Sequence, residues 1–178
     1  TILFVDSHCH LNFPELAVDL EGVLGAMRSN LVTHALCVSI NLESLSEVIA
    51  IAERHLNVFA SVGVHPDHQT GVEPDSQELA ALAAHPRVVA IGETGLDYYR
   101  LEGDLHWQRE RFRSHIRAAR ESSKPLIIHT RAAGDDTIRI MREERAADIG
   151  GVMHCFTETQ AVADAAAGDH FGVDAAVG

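Results

Sequence analysis

Cysteine, proline and long apolar runs are all scarce in this chain. Its 178 residues hold three cysteines, at positions 9, 37 and 155. An odd, widely spaced set makes no disulfide framework and fits a reducing compartment, so a cytoplasmic protein is expected. Five prolines and 13 glycines exclude a collagen-like or low-complexity chain. No apolar run approaches the roughly 18 residues of a membrane span, and no membrane contact is expected. The stretch from Thr1 to Asp6 has no basic region, and an acid and two histidines follow early. It does not read as a signal peptide.

Basic residues are also few. Lys and Arg number 14 against 26 Asp and Glu, for a formal net charge of −12. That balance counts against strong non-specific binding to nucleic acid, which is driven by cationic surface. The bases that exist are clustered. Eight fall between Arg100 and Arg131, where only four acids accompany them, so this segment is locally +4. The arginines from Arg109 to Arg120 read as a solvated helix face rather than a DNA surface.

Apolar types make up 46% of the chain and histidines number 12. The length suits a single domain over residues 1–178, with a proper core. Short, nearly continuous apolar runs occur at Ile2–Val5, Ala35–Ile40, Val58–Val64, Val88–Ile91, Leu126–Ile128, Gly151–Met153 and Phe171–Ala175. Such runs are expected of strands buried on both faces of a parallel sheet. Six helical patterns lie between them. Leu16, Leu20, Val23, Leu24 and Met27 share one helix face. Leu45, Val48, Ile49 and Ala52 repeat the pattern after a capping-box-like Ser44 and Glu47. Asp75 precedes an alanine-rich helix, and Leu105, Phe112, Ile116 and Ala119 mark the basic one. Ile138 and Met141 mark another, and Val162, Ala165 and Ala166 the last. Strict alternation means parallel strands with helical crossovers, in either a doubly wound sheet or a (β/α) barrel.

The residues at the strand ends favour the barrel. His8-Cys9-His10 follows the first strand, and in extended backbone residues i and i+2 point the same way. His8 and His10 can therefore grip one metal while Cys9 faces away. Glu93 ends the fourth strand signal, His129 the fifth and His154 the sixth. In a barrel those ends converge on one mouth. Imidazoles with a carboxylate suit first-row divalent ions. Five ligands exceed one tetrahedral site and fit two ions sharing Glu93, an arrangement that activates water and holds an oxyanion. His8, His10 and Glu93 are expected to hold one ion, and Glu93, His129 and His154 the other.

These stretches, with Gly63-Val64-His65-Pro66, Gly92-Glu93-Thr94-Gly95-Leu96-Asp97-Tyr98-Tyr99, Pro125–Arg131, His154-Cys155-Phe156-Thr157 and the helix residues Gln108, Arg109 and Phe112, resemble the TatD-type metal-dependent deoxyribonucleases of the amidohydrolase superfamily. The resemblance implies a TIM-like (β/α) barrel. It also implies two divalent ions (zinc, magnesium or manganese) on His8, His10, Glu93, His129 and His154, and phosphodiester hydrolysis of DNA ends or single strands. It implies a further ligand and proton acceptor as well, an Asp in a Glu-Thr-Asp-like motif at the eighth strand. No such motif occurs here, so the barrel is expected to be incomplete, with seven strand signals of eight, and the catalytic proton acceptor is unassigned. The same site chemistry would also suit ester or amide cleavage, as in an aminoacyl-tRNA deacylase, and the missing Asp keeps open a non-catalytic fragment.

Four further residues stand near these ligands, and two of them have two readings each. His65 suits a substrate or supporting role, or fixes its turn. Asp6 orients a ligand histidine or bonds backbone. Tyr98 and Arg131 lie just beyond ligands, where they could contact phosphate, Arg131 through its planar fork.

Overall fold

In the computed structural model, which describes residues 2–175, seven parallel strands form one sheet in sequence order. They are β1 (Phe4–Cys9), β2 (Val32–Cys37), β3 (Val58–Val62), β4 (Val88–Asp97), β5 (Leu126–Arg131), β6 (Gly151–Phe156) and β7 (Phe171–Ala175). Helices α1 (Pro14–Ala17), α2 (Leu20–Ser29), α3 (Leu45–Arg54), α4 (Ser76–Ala83), α5 (His106–Ser122), α6 (Gly134–Glu143) and α7 (Gln160–Gly168) make the crossovers.

The period of two in each strand sorts side chains between the faces of the sheet. Leu126 and Ile128 of β5 and Met153 of β6 join the large core under the helices, with Leu24, Val48, Leu79, Phe112, Ile116 and Met141. Ile127 belongs instead to a small inner cluster with Val38 and Ala90, against which Leu36 and Val152 pack. His129 and His154 lie two residues beyond Ile127 and Val152, so they share the inner face. The sheet curls until the rings of His8 on β1 and His154 on β6 stack with centroids 3.5 Å apart. The result is a half-barrel of TIM-like architecture. Among the described residues β7 does not pair with β1, and Phe4 and Val5 on the β1 edge are 54% and 64% exposed.

Several strands run further than the apolar runs predict. β4, β5 and β6 continue through Glu93, His129 and His154, because backbone pairing does not depend on side-chain polarity. Gly95 pairs with His129, and His129 with His154. Gly95 has φ +131°, and a Cβ there would lie 1.9 Å from the His129 carbonyl oxygen, so only glycine lets β4 lie this close to β5. β1 likewise includes His8 and Cys9. The first helical pattern divides in two. Asp19 accepts from the Gly22 N–H and starts α2 afresh. The predicted capping box at Ser44 does not form. Asn41 accepts instead from both the Ser44 N–H and its hydroxyl. Asp75 does cap α4, accepting from the Glu78 N–H at 2.8 Å.

Candidate metal centre

Glu93 is the centre of the site. The β4 register shifts between Ile91 and Thr94, an irregularity of the kind that re-aims a side chain. The Glu93 N–H donates to Ser39 O, and its carboxylate, with a side chain 6% exposed, faces three imidazoles. His8 Nε2 lies 3.2 Å from Oε2. His129 Nδ1 and His65 Nε2 lie 3.5 Å and 3.7 Å from Oε1. Burial alone would raise the pKa of Glu93. The contacts with His129 and His8, helped by the His65 charge, outweigh it and hold the carboxyl well below the ordinary range.

Two groups of donor atoms converge, His8 with His10 and Glu93, and His65 with Glu93 and His129. In the first, the two rings stand edge to face at 5.1 Å. Cys9 turns away and bonds Leu36 O, as alternation requires. His10 donates from Nδ1 to Val38 O at 2.9 Å, which leaves Nε2 facing the site. Burial, opposed by that bond, lowers the His10 pKa. In the second group, His65 Nε2 and His129 Nδ1 face each other at 3.3 Å.

Each imidazole of the second group has its own carboxylate. Asp97 Oδ2 lies 2.9 Å from His129 Nε2, and Asp67 Oδ1 lies 2.5 Å from His65 Nδ1. Burial disfavours a charged His129, but Glu93 and then Asp97 raise its pKa above the usual value. The His65 contact, against some burial and with help from Arg100, holds Asp67 well below the carboxylate range. Arg100 bonds Asp67 at 2.6 Å and approaches Asp97 at 3.9 Å.

This donor set fits divalent ions. Ligand bonds of 2.0–2.1 Å in a tetrahedron put ligand atoms about 3.3 Å apart; His8, His65 and His129 lie 3.2–3.7 Å from Glu93, and His10 completes its group within 4.8 Å. His8 Nδ1 is also buried without any hydrogen-bond partner, an unusual cost that a bound group would relieve.

The remaining expected residues fall as follows. His154 joins neither group. Its ring lies on His8, and its Nδ1 is 3.1 Å from Asp174. His65, read from sequence as a substrate-contacting or supporting residue or one that fixes its turn, faces Glu93 directly. Asp6 accepts from the backbone N–H of His8, the backbone alternative of its two readings. The Tyr98 hydroxyl donates to Asp136 at 2.6 Å. The Arg131 guanidinium lies 3.9 Å above the Tyr99 ring, and Tyr99 is 68% exposed. The arginines of α5 are paired with acids, Arg113 and Arg117 with Glu144, Arg120 with Asp148, and the buried Arg111 with Glu73. Sequence reasoning missed Asp67, Asp97 and Arg100. The available signal was their position: Asp67 two residues after His65, Asp97 within the Glu93 motif and Arg100 just past its end.

Known proteins share this arrangement of strands. The chain is 42% identical over 166 residues to the uncharacterized metal-dependent hydrolase YcfH of Escherichia coli, covering 91% of this chain and 62% of that protein. It is 30% identical over 156 residues to the 3'-5' ssDNA/RNA exonuclease TatD of Enterobacter lignolyticus, covering 87% of this chain and 60% of that protein. The chain thus spans less than two thirds of the length of these curated relatives. The solved structure of the TatD homologue YJJV from Escherichia coli superposes with a TM-score of 0.86 at 26% identity, over 96% of this chain and 66% of that one. The family model for TatD related DNase matches residues 5–177, nearly the whole chain, and the chain belongs to that family.

Proposed function

We propose that this chain carries the metal centre of a divalent-metal-dependent hydrolase that cleaves phosphodiester bonds at DNA ends or in single strands. The observation that carries the reading is the convergence of His8, His10, His65 and His129 on one buried, ionised Glu93. His8 and His10 would hold one ion with Glu93, and His129 and His65 a second with the same carboxylate, while His154 would support the first through its ring on His8. Divalent ions bound there supply Lewis acidity toward phosphoryl oxygen and acidify water.

The chain's own residues prepare that chemistry. Glu93 stays anionic, so it offers both oxygens. His10 is kept neutral by burial and directed by Val38 O. Asp97 and Asp67 fix the tautomers of His129 and His65, so that Nδ1 of the first and Nε2 of the second face the ions. Arg131, spread over Tyr99 at the mouth, is the cation placed to meet a substrate phosphate. With a net charge of −12, affinity for a polyanion must come from this site rather than from the general surface. The three thiols are all free, which fits a reducing compartment and a cytoplasmic protein. No described helix is long and apolar enough to cross a membrane.

The test is hydrolysis of an end-labelled single-stranded DNA by the purified chain with Mg²⁺ or Mn²⁺. Cleavage that chelation abolishes and E93Q lacks is the expected result. Cleavage that survives both treatments overturns the proposal.

A further inference from the structure

We propose that Gln108 is a positioning residue for this metal centre. Through one buried amide it fixes the segment carrying His65 against the segment carrying Asp97, and so helps to set the separation of His65 and His129. The inference deepens the metal-centre reading and rests on it.

Gln108 lies four residues before Phe112, on the face of α5 that packs toward the sheet. It is fully buried there. A buried amide must find partners inside the protein, and Gln108 finds them at the end of β4 and on the loop after β3 rather than on its own helix. Its Oε1 accepts from the Asp97 N–H at 2.9 Å. Its Nε2 donates to Pro66 O at 3.1 Å and, more weakly, to Asp97 O at 3.4 Å. The orientation of the amide follows from the partners, because the Asp97 N–H can only donate.

Both anchored segments carry a carboxylate that turns an imidazole. Asp97 contacts His129, and its other oxygen accepts from the backbone N–H groups of Tyr99 and Arg100. Pro66 stands between His65 and Asp67, which contact each other. Two other residues of the same helix face hold only the His65 segment. Arg111 donates to His65 O and His68 O, and His115 Nε2 accepts from the Val64 N–H. Of these three side chains, Gln108 alone also bonds Asp97. Arg100 also links Asp67 to Asp97, from a half-exposed position; Gln108 is the buried tie between the two segments and so helps to set the 3.3 Å between His65 Nε2 and His129 Nδ1. An apolar residue of similar volume would fill the same space, but it would leave the Asp97 N–H and the Pro66 carbonyl unpaired and free to shift. Ligand geometry tolerates only a few tenths of an ångström of such movement.

The test compares Q108M, which keeps length and volume, with the wild type, and has two readouts. In the metal-free protein, at a pH high enough for His129 to be neutral, long-range ¹⁵N spectra should show it protonated at Nε2, toward Asp97, in the wild type and as a mixture of tautomers in Q108M. In a Mn²⁺ titration followed by electron paramagnetic resonance, the ion on the His129 side should bind about tenfold more weakly in Q108M, and the ion on the His8 and His10 side within twofold of wild type. Unchanged spectra and affinities, or equal weakening of both ions, would overturn the proposal. If Q108M does not fold, Q108N decides; it is a firmer variant than Q108E, whose carboxyl, when protonated by burial, can imitate the amide. The Q108N amide is one methylene shorter, cannot span the Asp97 N–H and Pro66 O together, and should weaken the same ion selectively; wild-type affinity would again overturn the assignment. A wild-type protein that binds no Mn²⁺ would instead defeat the metal-centre reading, and the tautomer spectra would still judge Gln108.

Discussion

Every residue of β4 except Val89 is buried, whereas no residue of β1 is. The same contrast separates the side chains these regions bring to the site. In the middle of the sheet, His129 and His65 have side chains 14% and 11% exposed; Asp97, the partner of His129, is completely buried, and Asp67, the partner of His65, is 33% exposed. At the edge, His154 is 24% exposed and its partner Asp174 is 41% exposed. Both regions present an imidazole with a carboxylate behind it. They differ in how firmly the carboxylate is held. Asp97 accepts from two backbone N–H groups and is tied to α5 through Gln108. Among the described residues, Asp174 accepts from the Cys155 N–H alone besides touching His154. Ligand orientation is thus built into the packed middle of the half-barrel and only lightly supported at its margin.

The contrast is sharpest in packing. Ile128 is fully buried in the middle of the sheet and Val5 is 64% exposed at its edge. I128A is expected to destabilise the protein by about 2–5 kcal/mol through lost burial and a cavity, while V5A stays within about 0.5 kcal/mol. Urea unfolding measures both. Equal effects would mean that the edge is covered in solution.

A second probe uses His115, fully buried behind the His65 loop. Its Nδ1 donates to Arg111 O, and Arg111 and Glu73 are the charged groups near it. Burial lowers its pKa from 6.5 to about 4. The unfolded chain therefore takes up this proton at a higher pH than the folded one. The contribution of neutral His115 to stability is complete above pH 6.5 and is lost as pH falls toward 4. The loss is on the order of 3 kcal/mol. H115Q retains an acceptor for the Val64 N–H and is expected to flatten this part of the pH–stability curve. Parallel curves for variant and wild type would show that His115 is not held neutral.

The third comparison sets the two carboxylates against each other. D97N should weaken the ion on the His129 side by about 10- to 100-fold, the range for a partner that orients a ligand. D174N, on a partly exposed residue at the edge, should change affinity by less than about threefold. Calorimetric Mn²⁺ titration checks both. A larger effect from D174N would reverse the assignment of firm and lightly supported halves.

Much of this was legible in the residues themselves. The seven apolar runs and the helical stripes located every strand and the main helices, because burial on both faces leaves a continuous apolar record. The alternation rule placed His8 and His10 together and turned Cys9 away. Strand ends were less legible. β4 extends six residues beyond Ile91 on backbone pairing alone, which leaves no hydrophobic trace. The place of His154 was also hidden. Its register partner is His129, yet its ring lies on His8 of β1, a contact made by the curl of the whole sheet and by no local pattern. Gln108 matched a familiar helix, but a glutamine on an apolar face does not reveal its two backbone partners before the fold is known.

In the proposed centre one buried carboxylate, Glu93, joins the two groups of histidines into a site for two divalent ions. Counting the Mn²⁺ ions bound per folded chain, for the wild type and for E93Q near neutral pH, tests this directly. Two ions are expected for the wild type, with affinity at both positions falling in E93Q by more than the roughly 100-fold associated with orienting partners. A well-folded wild type that binds none, or an E93Q variant that binds two ions as tightly as the wild type, would contradict it.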